Sequence, residues 1–168
     1  KKLGIELVAI RSNFTDTVFS ENTEAEFTRF YDKLRQTDTL PVSSQPSPAE
    51  FLELFEDAKE KQEEVVVITI SSKLSGTYNG AMLAKDMAEY DNIYVVDSLL
   101  ASLSERLLVE YAVKLRDAGM GAKELVRKLE QDRERVILTG VPSTLLYLKM
   151  GGRISPVVAA VGGVIGIK

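Results

Sequence analysis

The 168-residue chain contains no cysteine, no histidine and no tryptophan. Without histidine, Ser-His-Asp and Cys-His catalysis, His-ligated zinc or haem, and imidazole acid–base chemistry are all closed to these residues. Without cysteine there are no disulfides, thiolate metal sites, Fe–S clusters or thiol nucleophiles. A cysteine-free chain is compatible with either redox compartment, so that absence says little about location. There is also no excess of positive charge. Lys+Arg number 21 against 25 Asp+Glu, a formal net charge of −4, which leaves no electrostatic footprint for nucleic acid or an anionic membrane. The longest weakly polar run, Val157 to Ile167, is well short of the roughly 20 residues a membrane-spanning helix needs. The start shows no charged-then-apolar secretory pattern.

What is present reads as an ordinary globular composition, 45% hydrophobic and 27% charged, long enough for one domain with a real core. Because the chain starts at Lys1 rather than Met and stops at Lys168 after an apolar stretch, we expect it to be a piece of a longer protein.

Leu3-Gly4-Ile5-Glu6-Leu7-Val8-Ala9-Ile10 reads as a strand, followed by a polar, turn-rich segment from Arg11 to Asn22. Thr23-x-x-Glu26 is a capping box, after which Phe27, Phe30, Tyr31 and Leu34 recur at helical spacing. A second capping box, Ser47-x-x-Glu50, carries Pro48 at the first helical position, with Phe51, Leu52, Leu54 and Phe55 as its apolar face. The β-branched run Val65 to Ile70 and the run Ile93 to Val96 read as buried parallel strands. Between them, Ser71 to Gly76 leads into a helix over about Thr77–Tyr90. Helices are expected near Ser102–Asp117 and Ala122–Gln131, split by Gly119-Met120-Gly121. Val136–Thr139 reads as a fourth strand, and a short helix through Leu145, Leu146 and Leu148 should end at Gly151-Gly152. Strands alternating with helices predict an α/β fold in three layers, a mostly parallel sheet flanked by helices. Ligands of such sheets sit beyond the carboxyl ends of the strands. That directs attention to Ser71–Thr77, Asp97–Ser98 and the loop after Thr139.

Ser71-Ser72-Lys73-Leu74-Ser75-Gly76-Thr77 is the richest of these. A strand delivers hydroxyls to the first turn of a helix, where free N–H groups and the positive dipole end favour an anion. Ser75 and Thr77 supply donors, and Gly76 would let a ligand approach the backbone. The same residues fit a plain helix cap equally well. Lys73 precedes Gly76, which breaks a Walker A frame, and Ser75 lacks the flanking glycines and the base of a nucleophile elbow. In the rigid connector Leu40–Ser47, Ser47 serves the helix cap while Ser43 and Ser44 are freer to face a ligand. Met150-Gly151-Gly152-Arg153-Ile154-Ser155 sets one arginine, a side chain suited to carboxylate or phosphate, on a glycine turn. An exposed arginine after a helix stop is the plainer account of it. Pro156 to Ile167 is rich in Val, Ala and Gly, which suits packing against another domain or room for an apolar ligand.

Four of these segments together resemble the DegV family, the bacterial fatty-acid-binding proteins. They are Pro41-Val42-Ser43-Ser44-Gln45-Pro46-Ser47-Pro48-Ala49-Glu50-Phe51, Ile70-Ser71-Ser72-Lys73-Leu74-Ser75-Gly76-Thr77-Tyr78, Val95-Val96-Asp97-Ser98, and Tyr147 to Ser155. The likeness runs over nearly the whole chain in the same order.

The resemblance implies a carrier rather than an enzyme. It would hold one long-chain fatty acid, with the carboxylate near hydroxyls and the tail in an apolar tunnel, and no other cofactor or metal. It maps the head-group role onto Ser43, Ser75 with Gly76, and Arg153. With the hydroxyls beside them, the candidate ligand-binding set is Ser43, Ser44, Ser75, Gly76, Thr77 and Arg153. Hydroxyls, helix N–H groups and an arginine suit a carboxylate. Some members present that carboxylate to a fatty-acid kinase subunit, which makes such a subunit a candidate partner, in the cytoplasm. Members also start with a short strand ending in Thr-Asp-Ser and continue into a second domain that supplies much of the tunnel and a histidine. Residues 1–168 would then be a single α/β domain, the N-terminal one, with 154–168 leading into a second domain that is largely absent here. The alternative from another class is an enzyme acting on a phosphorylated small molecule through Ser71–Thr77, for which Asp97 is the one well-placed carboxylate.

Overall fold

The structure, a computed structural model, describes residues 3–20, 23–141 and 144–154. The chain divides into two compact units, Lys1–Ile137 and Leu138–Lys168.

In the first unit the buried centre is a parallel pair, β4 (Val65–Thr69) and β5 (Ile93–Asp97), in register from Val65 opposite Ile93 to Thr69 opposite Asp97. Alternate side chains of a strand point to opposite faces, and both faces of this pair are covered. On one, Ile93 with Val65, Val67 and Val95 packs on α2 (Pro48–Glu60) and α3 (Thr77–Ala88) through Phe51, Phe55, Ala81, Ala84 and Ala88. On the other, Val96 with Val66 and Ile68 meets α4 (Ser102–Asp117) and α5 (Ala122–Asp132) through Leu108, Ala112, Leu125 and Leu129. Helix, sheet, helix: the layers are those of an α/β fold. The small residues Gly80, Ala81, Ala84 and Ala88 all lie buried on α3, which lets its axis come close to the sheet and to α2.

A second sheet is antiparallel, in the order β2 (Val18–Phe19), β1 (Arg11–Asn13), β3 (Val42–Ser44). It lies in segments expected to be turns. Helix α1 (Glu24–Gln36) stands against it, capped by Thr23, whose hydroxyl accepts the Glu26 N–H at 3.1 Å. Glu24 and Glu26 in its first turn and Lys33 and Arg35 in its last oppose the helix dipole. Phe14, Phe19 and Phe30 form a ring cluster with centroids 5.4–5.8 Å apart. Phe27 and Tyr31, expected on the buried face of α1, are instead half exposed, at 50% and 54%.

Two expected strands are irregular. In Leu3–Ile10 the carbonyls of Leu3 and Gly4 accept hydrogen bonds from the Arg116 guanidinium at 3.0 and 3.1 Å. The first carbonyls of the segment are thus used by a side chain rather than by a ladder. Gly4 also takes a φ of +60°, outside the strand region. At Val136–Thr139 the chain leaves a short 3-10 turn, Arg133–Arg135. Val136 packs on the core while Ile137 is 84% exposed, so this apolar stretch has no buried sheet position to occupy. The second unit, in its described part, holds α6 (Leu146–Met150), closed by Gly151. Gly152 follows at φ +71°, a left-handed stop that glycine takes without strain. The apolar stretch Pro156–Ile167, and Ser155 before it, lie outside the described residues.

Candidate functional site at the carboxyl ends of the parallel strands

Because β4 and β5 run parallel and in register, Thr69 and Asp97 end side by side. The two segments leaving them are stitched together by backbone. The Ser71 N–H donates to the Leu100 carbonyl at 2.8 Å and the Ser98 N–H to the Thr69 carbonyl at 3.2 Å. Ser71 and Ser98, both buried, spend their hydroxyls locally. Ser71 Oγ accepts the Lys73 N–H at 3.3 Å, and Ser98 Oγ accepts the Leu100 N–H at 3.0 Å.

Asp97 clips the two segments together. Its Oδ1 accepts the Ser72 N–H at 3.0 Å and the Leu99 N–H at 3.1 Å. Burial would raise its pKa, but the hydrogen bonds from Ser72 and Leu99 and the charge of Arg133 outweigh it, and the carboxyl is held below its ordinary value. The carboxylate singled out for the enzymatic alternative thus has a structural task. Among the described residues no group of three or more Asp or Glu side chains is placed to hold a metal ion.

The turn Ser71–Gly76 folds on itself, with the Leu74 and Ser75 N–H groups donating to the Ser71 carbonyl at 3.0 and 3.1 Å. It hands the chain to α3 at Gly76. The Ser75 and Thr77 hydroxyls lie 2.9 Å apart, and the Thr77 N–H reaches Ser75 Oγ at 3.4 Å. The cap reading and the ligand reading therefore share these atoms. Ser75 is half-buried, and Thr77, at 6% exposure, turns inward. The first N–H groups of α3 have no carbonyl partner within the helix, and that of Thr77 is taken by Ser75 Oγ.

The second hydroxyl segment comes to the same place. A Cβ placed on Gly76 would run into the Gln45 side-chain amide, with Gln45 Cδ at 3.1 Å and Nε2 at 3.2 Å. One placed on Gly80 would lie 3.7 Å from the Pro46 carbonyl. The connector Ser43–Ser47 is thus laid across the start of α3. Gly76, expected to admit a ligand to the backbone, admits Gln45 in this structure. No local pattern marks Gln45, because its partner is distant in sequence and depends on how α2 packs on α3. Ser44 Oγ accepts from Asn13 Nδ2 at 2.9 Å. Ser43 is exposed and pairs across the ribbon with Ser12, so their side chains share a face.

Ser47 begins α2 with the expected capping box. Its N–H and its hydroxyl both donate to Glu50 Oε2, at 2.9 and 3.0 Å, and its carbonyl accepts the Glu50 N–H at 3.2 Å. Glu50 also takes a two-pronged contact from Arg11, at 2.5 and 3.1 Å. That contact, then the Ser47 hydrogen bonds, bring its pKa down to about 2. The pair joins β1 to the N-terminus of α2 and steadies the connector between them.

Near the ribbon, Ile10, Phe19, Phe27, Phe30 and Tyr31, with the polar Ser12, Ser20 and Glu26, line an open cavity of about 140 Å³. Arg153 belongs to the second unit. There it is exposed, and its Nη1 donates to the Gly151 carbonyl at 2.5 Å. Of the expected site residues, Ser43, Ser44, Ser75, Gly76 and Thr77 lie in the first unit, where Gln45 next to Ser44 meets Gly76.

The profile of DegV, described as an uncharacterised protein family, matches residues 1–168. The chain belongs to the DegV family. A DegV domain-containing protein of Caldanaerobacter subterraneus is 32% identical over all of this chain and 60% of its own length. Among solved structures, "Fatty Acid Binding of a DegV family Protein from Thermus thermophilus" superposes with a TM-score of 0.78 at 30% identity, over 96% of this chain and 57% of that one. The Streptococcus pneumoniae Fatty Acid Kinase (Fak) B3 protein, solved loaded with linoleic acid, gives 0.75 at 28% identity, over 91% of this chain and 54% of that one. The chain spans about 60% of the length of the curated DegV relatives it matches. No helix among the described residues is long and apolar enough to cross a membrane.

Proposed function

We propose that the protein carrying this chain binds one long-chain fatty acid, in the cytoplasm, and performs no chemistry on it. Residues 1–168 would be its N-terminal α/β domain, with 154–168 leading into a second one. The carboxylate would be held by the hydroxyls of Ser43, Ser44, Ser75 and Thr77, the N–H groups at the start of α3 beside Gly76, and Arg153. The observation that carries this reading is the contact of Gln45 with Gly76. It brings two hydroxyl-bearing segments, distant in sequence, to one helix N-terminus, where an anion is favoured. Fatty-acid binding by the Thermus and Streptococcus relatives supports the choice of anion. The streptococcal relative also makes a fatty-acid kinase subunit the partner to test. The enzymatic alternative is weakened by Asp97, whose Oδ1 is engaged by two backbone N–H groups.

Native mass spectrometry of the full-length protein, purified from cells, should show one bound acyl chain. A ligand-free mass together with no uptake of added oleate would refute the reading. Ser75→Ala and Arg153→Ala should each weaken oleate binding about tenfold, the order of one charge-assisted hydrogen bond, with the fold intact. Unchanged affinity in both would remove the head-group assignment.

A further inference from the structure

Arg133 stands out in no sequence motif, yet it reaches the centre of the candidate site. It opens the 3-10 turn after α5, and its Nη1 donates to the main-chain carbonyl of Asp97 at 2.5 Å. Asp97 is the last residue of β5, and its own carboxylate holds the Ser72 and Leu99 N–H groups. Three segments of the first unit therefore meet through one residue: the turn after α5, the end of β5 and the loop Ser71–Gly76.

Two observations show that this junction is held rather than relaxed. Leu99 sits at φ +57°, a left-handed conformation that a leucine rarely adopts and that persists only when its surroundings impose it. Arg133 Nε is buried and has no hydrogen-bond partner among the described residues. An unmet buried donor is unfavourable, so the bond to the Asp97 carbonyl must outweigh it.

We propose that Arg133 is a positioning residue for the ligand loop, fixing the end of β5 so that Asp97 can hold Ser72 and thereby set Ser75–Thr77. It acts without touching the ligand. Its binding consequence rests on the fatty-acid reading, whereas its effect on the loop does not.

The test compares Arg133→Met, Arg133→Lys and the exposed α5 control Arg127→Met in the full-length protein. Two readouts are taken: amide hydrogen exchange in the ligand-free state, and oleate affinity. Arg133→Met should speed exchange at the Ser72 and Leu99 amides about tenfold and weaken oleate binding by a similar factor. Arg133→Lys, which keeps a cationic donor, should recover part of both, and Arg127→Met should change neither. If Ser72 and Leu99 exchange at the parental rate in Arg133→Met, the inference is overturned whatever happens to binding. It is also overturned if Arg127→Met reproduces the loss of affinity. Should Arg133→Met fail to fold, Arg133→Lys decides the matter: a smaller speeding at the same two amides supports the inference, and the parental rate at both overturns it. A parent protein that ignores oleate would end the functional reading but leave the exchange comparison decisive.

Discussion

The two sheets of the first unit are held together by different means. Around β4 and β5 the cohesion is burial on both faces: Phe55, Ala81, Ala84, Ala88 and Ile93 on one side and Val96, Leu108 and Leu129 on the other are each 1% exposed or less. Around β1, β2 and β3 there is one ring cluster, the Arg11–Glu50 and Lys33–Asp16 ion pairs, and large apolar side chains left in solvent, Val18 at 56% and Val42 at 69% exposure among them. Yet the proposed site draws on both regions, Ser75 and Thr77 after β4 and Ser43 and Ser44 in β3. On that reading a firm frame would fix one half of the site, and a lightly tethered ribbon would supply the other.

The sharpest way to break that contrast is to cut each core at its centre. Phe55→Ala removes a fully buried ring between α2, α3 and the sheet. It should destabilise the whole unit by about 3–5 kcal/mol, read from urea unfolding. Phe14→Ala opens the ring cluster at an 8% exposed position and should cost nearer the low end, about 3 kcal/mol. Its effect should be local: faster hydrogen exchange in β1 and β3, with the β4 and β5 amides keeping their protection. If Phe14→Ala lowers protection equally in both sheets, the two regions form one cooperative unit and the contrast fails.

A smaller test asks how tightly the connector is locked to α3. At Gly76 the backbone would accept alanine, since φ is −74°, and the obstacle is only the end of the Gln45 side chain. Gly76→Ala should therefore cost about 1 kcal/mol in stability, and close to nothing in a Gln45→Ala background. Additive effects in that cycle would mean that Gln45 and Gly76 do not meet in solution.

The same contrast governs how much of the molecule is legible in its sequence. Elements α2, β4, α3, β5, α4 and α5 carry local signals: a capping box at Ser47, β-branched runs at Val65 and Ile93, and apolar residues at helical spacing. The ribbon carries almost none, because strands of two or three residues are too short for alternation to show, and Arg11–Asn22 looks like a turn. Leu3–Ile10 and Val136–Thr139 mislead for the opposite reason. An apolar run looks the same whether it pairs with a strand or packs singly, and the donor that takes the Leu3 and Gly4 carbonyls is Arg116, over a hundred residues away in sequence. At the site, Ser75, Gly76 and Thr77 are legible because a strand–turn–helix junction is local. Gln45 and Arg133 are not, since each acts through a tertiary contact with a residue far along the chain.

The mildest perturbation of the comparison is acid, because the link between ribbon and frame ionises. Glu50 titrates at about 2 in the folded protein against an ordinary value of 4.5. A depressed carboxyl pKa favours the folded state fully above the ordinary value. That contribution is lost as pH falls from about 4.5 to about 2. The pair is partly exposed, with Arg11 and Glu50 side chains at 36% and 32%, so solvent screening keeps its contribution small. Glu50→Gln should therefore unfold at lower urea than the parent at pH 6, and the gap should close as pH approaches 2. Added salt should narrow it at pH 6. A gap that stays constant from pH 6 to pH 2 would show that the Arg11–Glu50 charge pair does not couple the ribbon to α2, and that only the Ser47 hydrogen bonds and packing hold the connector over Gly76.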